Sequence, residues 1–124
     1  GQPLRIDFSG DEAILVTAHA GALRSAIENV IHNAVIHGGS EVHVSLEQEG
    51  EHAILSVTDS GGGVDAGELD RLFEPFFRAT KSGATEGTGL GLAIAARALA
   101  MHDGTITARN VEPGLRVEMR LPVA

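Results

Sequence analysis

No cysteine occurs among the 124 residues, which removes any disulfide framework and any thiolate metal site; a reducing compartment fits such a chain. Positive charge is scarce. Nine Lys and Arg stand against seventeen Asp and Glu, a net charge of −8, which argues against a reader of DNA or RNA phosphate backbones. The deficit leaves a nucleotide ligand open, because a divalent cation can carry the charge balance. No apolar run approaches the roughly 18 residues that span a membrane, and Gly1-Gln2-Pro3 starts no signal peptide. Neither a nucleic-acid partner nor direct membrane contact is expected. Repeats, linkers and low-complexity tracts are also lacking. Hydrophobic residues at 43% and charged residues at 21% are ordinary for a soluble globular protein. The length suits a single domain over residues 1–124.

Glycine is abundant instead. There are sixteen, concentrated between Gly61 and Gly91, so a large part of the chain is built as loop. Gly87-Thr88-Gly89-Leu90-Gly91 runs directly into the helix-forming stretch Ala93 to Met101. Glycine lets backbone N–H groups turn toward an anion without steric cost, and the following helix aims its positive dipole end at the same place. Alone, the pattern also fits an ordinary turn.

Alternation in Leu4, Ile6 and Phe8 predicts an opening strand, with the apolar run Ala13 to Thr17 as its partner. From Ala20 to His37 the period becomes helical, with Leu23, Ile27, Val30, Ile31 and Ala34 on one face. Gly38-Gly39 ends that helix. Val42 to Leu46 and Ala53 to Asp59 read as a hairpin, and Ser60 to Gly67 as loop. A short helix is predicted over Glu68 to Phe73, stopped near Pro75. Arg78 to Glu86 lacks periodicity and reads as a mobile loop. A helix from Leu90 to His102 and two strands, Thr105 to Arg109 and Leu115 to Leu121, joined through Pro113-Gly114, complete the order. Together these predict a two-layer α/β sandwich with a mixed, mostly antiparallel sheet.

Asn29, Asn33 and His37 recur at i, i+4 spacing and so share a stripe offset from the apolar face. A side-chain carbonyl is a suitable hard ligand for Mg²⁺, although a solvated polar face would look the same. Asp59-Ser60-Gly61-Gly62-Gly63 closes the hairpin's second strand. An aspartate there can accept from an exocyclic amine while glycine backbone passes close to a flat base; an Asp-Ser-Gly turn with a capping carboxylate is the plainer alternative. Leu72 to Arg78 holds three of the four phenylalanines, a core anchor placed where a lid would hinge. The six histidines show no acceptor motif and read as surface or strand residues.

These stretches in this order resemble the ATP-binding domains of histidine kinases. Asn29-Val30-Ile31-His32-Asn33-Ala34 is similar to their asparagine box and Asp59-x-Gly61-x-Gly63 to their first glycine box. Phe73-Glu74-Pro75-Phe76-Phe77-Arg78 is similar to their phenylalanine box, and Gly87-x-Gly89-x-Gly91-Leu92 to their second glycine box. The Leu69 to Phe77 and Gly87 to Ile94 stretches look most like envelope-stress sensor kinases of the Cpx type. The resemblance covers essentially the whole chain.

It implies the Bergerat fold, with three helices on one face of the sheet, ATP between the helices, and a flexible lid. By the same resemblance Asn33 coordinates Mg²⁺ on the phosphates, beside Asn29 on the same stripe, and Asp59 takes the adenine amine. Gly61 and Gly63 let the backbone approach the base, and Gly87, Thr88, Gly89, Leu90 and Gly91 form the phosphate cradle. Arg78 and Lys81 are the lid-side cations for the γ-phosphate. Two positions depart from the family pattern. Ile36 stands where a Lys or Arg is usual and His37 where Tyr is frequent. A modest ATP affinity follows unless Arg78 or Lys81 compensates. His37 can stack on adenine or assist the helix C-terminus; both remain open.

Related gyrase and chaperone ATPases place a water-activating glutamate four residues before the magnesium asparagine. Here that residue is Asn29, and Glu28 is rotated from it by about 100°. No residue of this chain is therefore expected to serve as acceptor or general base. The expected partners are the dimeric phosphoacceptor histidine hairpin of a parent kinase and a downstream response regulator. The expected setting is cytoplasmic, in a parent that can be anchored in the inner membrane. An anti-sigma-factor-type serine kinase and a degenerate nucleotide-binding or docking module are the competing readings.

Overall fold

The computed structural model describes residues 5–10, 13–37, 39–77 and 90–124. Five strands form one sheet: β1 (Arg5–Gly10), β2 (Glu41–Glu49), β3 (His52–Asp59), β4 (Thr105–Asn110) and β5 (Leu115–Pro122). Their spatial order is β1-β2-β3-β5-β4. Two α-helices, α1 (Ala20–His37) and α2 (Gly91–Met101), and a 3₁₀ segment at Ala66–Arg71 complete the described elements.

The mixed, mostly antiparallel sheet holds. β1 runs parallel to β2, while β2–β3, β3–β5 and β4–β5 are antiparallel. The expected pairing of the first strand with Ala13 to Thr17 does not form. That segment is not a strand; β1 instead pairs with β2 in the register Ile6↔Val42 and Phe8↔Val44. Leu15 remains 80% exposed, and its carbonyl accepts the Ala124 N–H at 2.8 Å. An apolar run can thus serve as a crossover to a helix that lies between two parallel strands. The short helix expected at Glu68 to Phe73 is the 3₁₀ segment, two residues earlier. The third helix of the expected trio is therefore a tighter element of the same six residues' length.

Strand alternation assigns the faces. Val42, Val44, Val57, Val117 and Met119 are buried against α1 and α2. The apolar stripe of α1 is as predicted, with Val30 and Ala34 buried and Leu23, Ile27 and Ile31 packed at its margin. Ala26, at 0% exposure, is the contact periodicity alone undervalues, because a methyl group permits the closest helix approach. On the other face Arg116 Nε donates to Thr58 Oγ1, and Arg109 and Arg120 pair with Glu118 and Glu49. Three of the chain's few cations are thereby spent on the solvated side of the sheet.

His102 departs from the expected surface or strand role. It is buried at the C-cap of α2, where the helix ends with Asp103 in the left-handed region at φ 57. Gly104 N–H then returns to Leu99 O and Asp103 N–H to Ala100 O, satisfying carbonyls that the helix leaves open. His102 Nε2 accepts from His19 N–H at 2.9 Å, so its ring proton sits on Nδ1 and donates to Ala98 O at 2.6 Å. One imidazole thus joins the start of α1 to the end of α2. His102→Leu, which keeps the bulk but removes both bonds, is expected to lower unfolding free energy by about 1–3 kcal/mol. Urea titration with an unchanged slope checks it; an unaltered midpoint would show that the bridge contributes nothing.

Candidate functional site

Asp59 ends β3 on the helix-covered side of the sheet and is only 7% exposed. A buried carboxylate needs donors. Asp59 Oδ1 accepts from Gly61 N–H at 3.0 Å and from Leu115 N–H at 3.1 Å. The plainer alternative of a capping turn is therefore realised in part, by the Asp59–Gly61 bond. The bond from Leu115 goes beyond it and comes from a residue 56 positions away. Ser60 is held from the other side: its N–H donates to Glu41 O at 3.1 Å, and its Oγ accepts from Glu41 N–H at 3.0 Å.

The loop then turns through Gly63 at φ 71, a left-handed conformation suited to glycine. Gly114, in the β4–β5 turn, lies directly beneath Asp59. A Cβ added there would run into the Asp59 carbonyl oxygen and sit 2.5 Å from Oδ1. Gly114 and the Leu115 amide are neighbours of Asp59 that the sequence alone does not reveal. Pro113-Gly114 signals a turn, but nothing local says what that turn touches.

The second group is built by the helices. Asn29 and Asn33 are half-buried on the flank of α1, beside its apolar stripe. Asn29 Nδ2 lies 3.4 Å from Ser25 Oγ, and its Oδ1 lies 3.4 Å from where a Cβ on Gly91 would stand. The first asparagine of the stripe therefore meets the start of α2. That helix begins at Gly91, with Leu90 at the N-cap, no side-chain hydrogen bond to the cap and no acidic residue in its first turn. Its leading amides and dipole suit an anion.

Gly87, Thr88, Gly89, Arg78, Lys81 and the loop Arg78 to Glu86 lie outside the described residues, as does the His37 side chain. Among the described residues of the phenylalanine stretch, Phe73 packs against the core, whereas Phe76 is 70% exposed at φ 67. Arg71 lies 4.5 Å from the Phe77 ring centroid and 3.5 Å from Glu74. A cavity of about 470 Å³ beside Glu28, Asn29, Ile31, His32 and Val35 includes Asn29 but not Asp59. The Asp59 loop is thus a separate feature.

Because Gly114 has no room for a methyl group, Gly114→Ala is expected to displace the Asp59 carboxylate, weakening nucleotide binding at least tenfold and lowering the melting temperature. Calorimetric titration with ADP tests this, and an unchanged affinity would separate the β4–β5 turn from the site.

A family model described as histidine kinase-, DNA gyrase B-, and HSP90-like ATPase matches residues 18–124. The sensor protein PfeS of Pseudomonas aeruginosa is 42% identical over 111 residues, 88% of this chain and 25% of that protein. Sensor histidine kinase YvrG of Bacillus subtilis is 41% identical over 82% of this chain and 17% of its own length. The chain thus spans a quarter or less of these relatives. The mycobacterial sensor histidine kinase MprB superposes with a TM-score of 0.85 at 29% identity, over 95% of this chain and 84% of that one. The ATP-binding domain of PrrB from Mycobacterium tuberculosis superposes with a TM-score of 0.79 at 30% identity, over 98% and 81%. The chain belongs to the histidine kinase-, DNA gyrase B- and HSP90-like ATPase family and is an ATP-binding domain of the sensor-histidine-kinase kind, with the Bergerat α/β fold.

Proposed function

We propose that this chain binds Mg²⁺·ATP and donates the γ-phosphoryl group to a histidine on a separate, dimeric hairpin of its parent kinase, from which a response regulator is then phosphorylated. The parent is read as an inner-membrane sensor with this domain on the cytoplasmic side. Among the described residues no helix is long and apolar enough to cross a membrane. The observation that carries the nucleotide assignment is Asp59, a buried carboxylate held rigidly by two backbone amides at the mouth of a glycine loop. Rigid placement of an acceptor suits recognition of an exocyclic amine, since no reorganisation is needed on binding.

Asn33 would hold Mg²⁺ through its side-chain oxygen. Among the described residues no group of three or more His, Cys, Asp or Glu could hold a metal ion. A single protein oxygen fits a cation that keeps several waters and takes the rest of its ligands from phosphates. Bound there, it would neutralise charge on the phosphates. Gly61 and Gly63 are assigned to the base, Gly87 to Gly91 and the first turn of α2 to the phosphates, and Asn29 to the junction of α1 with that turn. Arg78 and Lys81 are assigned to the γ-phosphate, with Ile36 supplying no charge and His37 at the adenine side.

In the transfer, a ring nitrogen of the accepting histidine bonds to the γ-phosphorus as the bond to the bridging oxygen breaks, and ADP leaves with that electron pair. Positioning and charge neutralisation supply most of the rate in such reactions. Asn29, an amide where related ATPases carry glutamate, leaves water unactivated, which favours transfer over hydrolysis.

Three outcomes are expected. Asn33→Ala should abolish stabilisation by Mg²⁺·ADP while leaving the fold intact, because Asn33 is not in the buried core; persistence of that thermal shift would remove the metal assignment. Asp59→Asn keeps an oxygen for Gly61 and Leu115 but sets an NH₂ in place of the other oxygen. It should weaken adenine nucleotides by roughly 10- to 100-fold, about 1.5–3 kcal/mol. Unchanged affinity by calorimetry would exclude Asp59 from the site. Incubated with γ-labelled ATP, this chain should neither label itself nor release phosphate rapidly, and a fused parental histidine hairpin should become labelled, since tethering raises the effective acceptor concentration. Fast phosphate release would instead favour the ATPase branch of the family.

A further inference from the structure

Asn110 closes β4, and neither a catalytic nor a binding role accounts for it so far. Its register partner across the β4–β5 ladder is Leu115, the residue whose N–H meets Asp59 Oδ1. The Asn110 side chain turns to the same loop at its other end. Oδ1 accepts from Val64 N–H at 2.9 Å, and Nδ2 donates to Val64 O at 2.7 Å. An amide side chain thereby does what a neighbouring strand would do, meeting both backbone polar atoms of one residue. The loop from Asp59 to Val64 is thus tied at both ends to a single rung of the ladder.

Between these ties lie Gly61 and Gly63. A Cβ on Gly63 would stand 2.6 Å from Asn110 Oδ1 and 3.3 Å from Gly114 O, so the loop is pressed onto the β4–β5 turn as well as bonded to it. Only an amide of this length supplies an acceptor and a donor to Val64 together; aspartate loses the donor, and serine is too short to present both. The site is also half open to solvent, since Asn110 itself is exposed. In such a place a paired side chain adds little to global stability, and its main consequence is local order.

We propose that Asn110 is a positioning residue for base recognition: by holding Val64 through both backbone atoms, it fixes the glycine loop in register with the Asp59 carboxylate and so sets the discrimination for adenine. This rests on the reading of Asp59 as the acceptor for the base amine. Asn110 touches no reacting atom; it acts through the loop.

The test compares the parent chain with Asn110→Ala, Asn110→Asp and Asp59→Asn. ADP and GDP are titrated by calorimetry in excess Mg²⁺, and thermal unfolding is recorded without nucleotide. Asn110→Ala loses both hydrogen bonds to Val64, and Asn110→Asp loses the donated one and sets a carboxylate oxygen against the Val64 carbonyl; each is expected to weaken ADP by about three- to tenfold. GDP, which lacks the amine at that position, should change by less than twofold, so the ADP-to-GDP preference falls. Should Asn110→Ala fail to fold, Asn110→Asp carries the comparison, since it keeps the size and one acceptor. A lowered melting temperature with an unchanged preference would mean a purely structural role and overturn the proposal. So would unchanged ADP affinity in both variants while Asp59→Asn still weakens ADP. If Asp59→Asn itself leaves ADP unaffected, the failure lies in the assignment of Asp59, and the role of Asn110 falls with it.

Discussion

A carboxylate can end a central strand in the protein interior only if donors meet its oxygens, and at Asp59 those donors come from two distant parts of the chain. Gly61 supplies the local one. Leu115, at the start of the last strand, supplies the other. For that second amide to arrive, the β4–β5 turn must pass against the Asp59 backbone, which is possible because residue 114 has no side chain. The order of strands β3-β5-β4 is what brings the turn there. A β5 displaced by one strand would take the Leu115 amide away from the buried carboxylate, at a cost of about 1–3 kcal/mol.

The helices solve a different problem. Each buries one stripe against the sheet, and they also pack on one another, with Ala26, Ala95 and Ala98 buried among larger neighbours. Small residues allow the close approach that brings Asn29 into contact with Gly91. His102 fixes the opposite ends of the pair, joining the start of α1 to the end of α2. The nucleotide site proposed here thus draws on two parts of the fold: a hairpin turn that meets the Asp59 carboxylate, and a helix pair that sets Asn29 beside the start of α2. Little of either depends on long side chains. The described arginines with ion-pair or hydroxyl partners on the sheet face away from the helices.

Much of this was legible from residue order alone. The 3.6-residue period of α1, the alternation in β2 to β5, and the spacing of asparagine and glycine motifs are local signals, and local signals survive without knowledge of the partner. The same locality explains the errors. Ala13 to Thr17 is apolar and strand-like by composition, yet β1 took β2 as its neighbour, because a register across forty residues cannot be read from a run of five. His102 looked like a surface residue because its partner, the His19 amide, is 83 positions away.

The sequence by itself determined the two long helices, strands β2 to β5, the family likeness and the identity of the residues that carry the proposed chemistry, since each follows from periodicity or from motifs of a few residues. Only the tertiary structure decided what holds those residues in place. Leu115, Gly114, Asn110 and His102 acquire their roles through contacts with residues far away in the chain, from the 46 positions between Val64 and Asn110 to the 83 between His19 and His102. Such contacts depend on strand order and helix docking, which are properties of the packed core and not of any window of the chain.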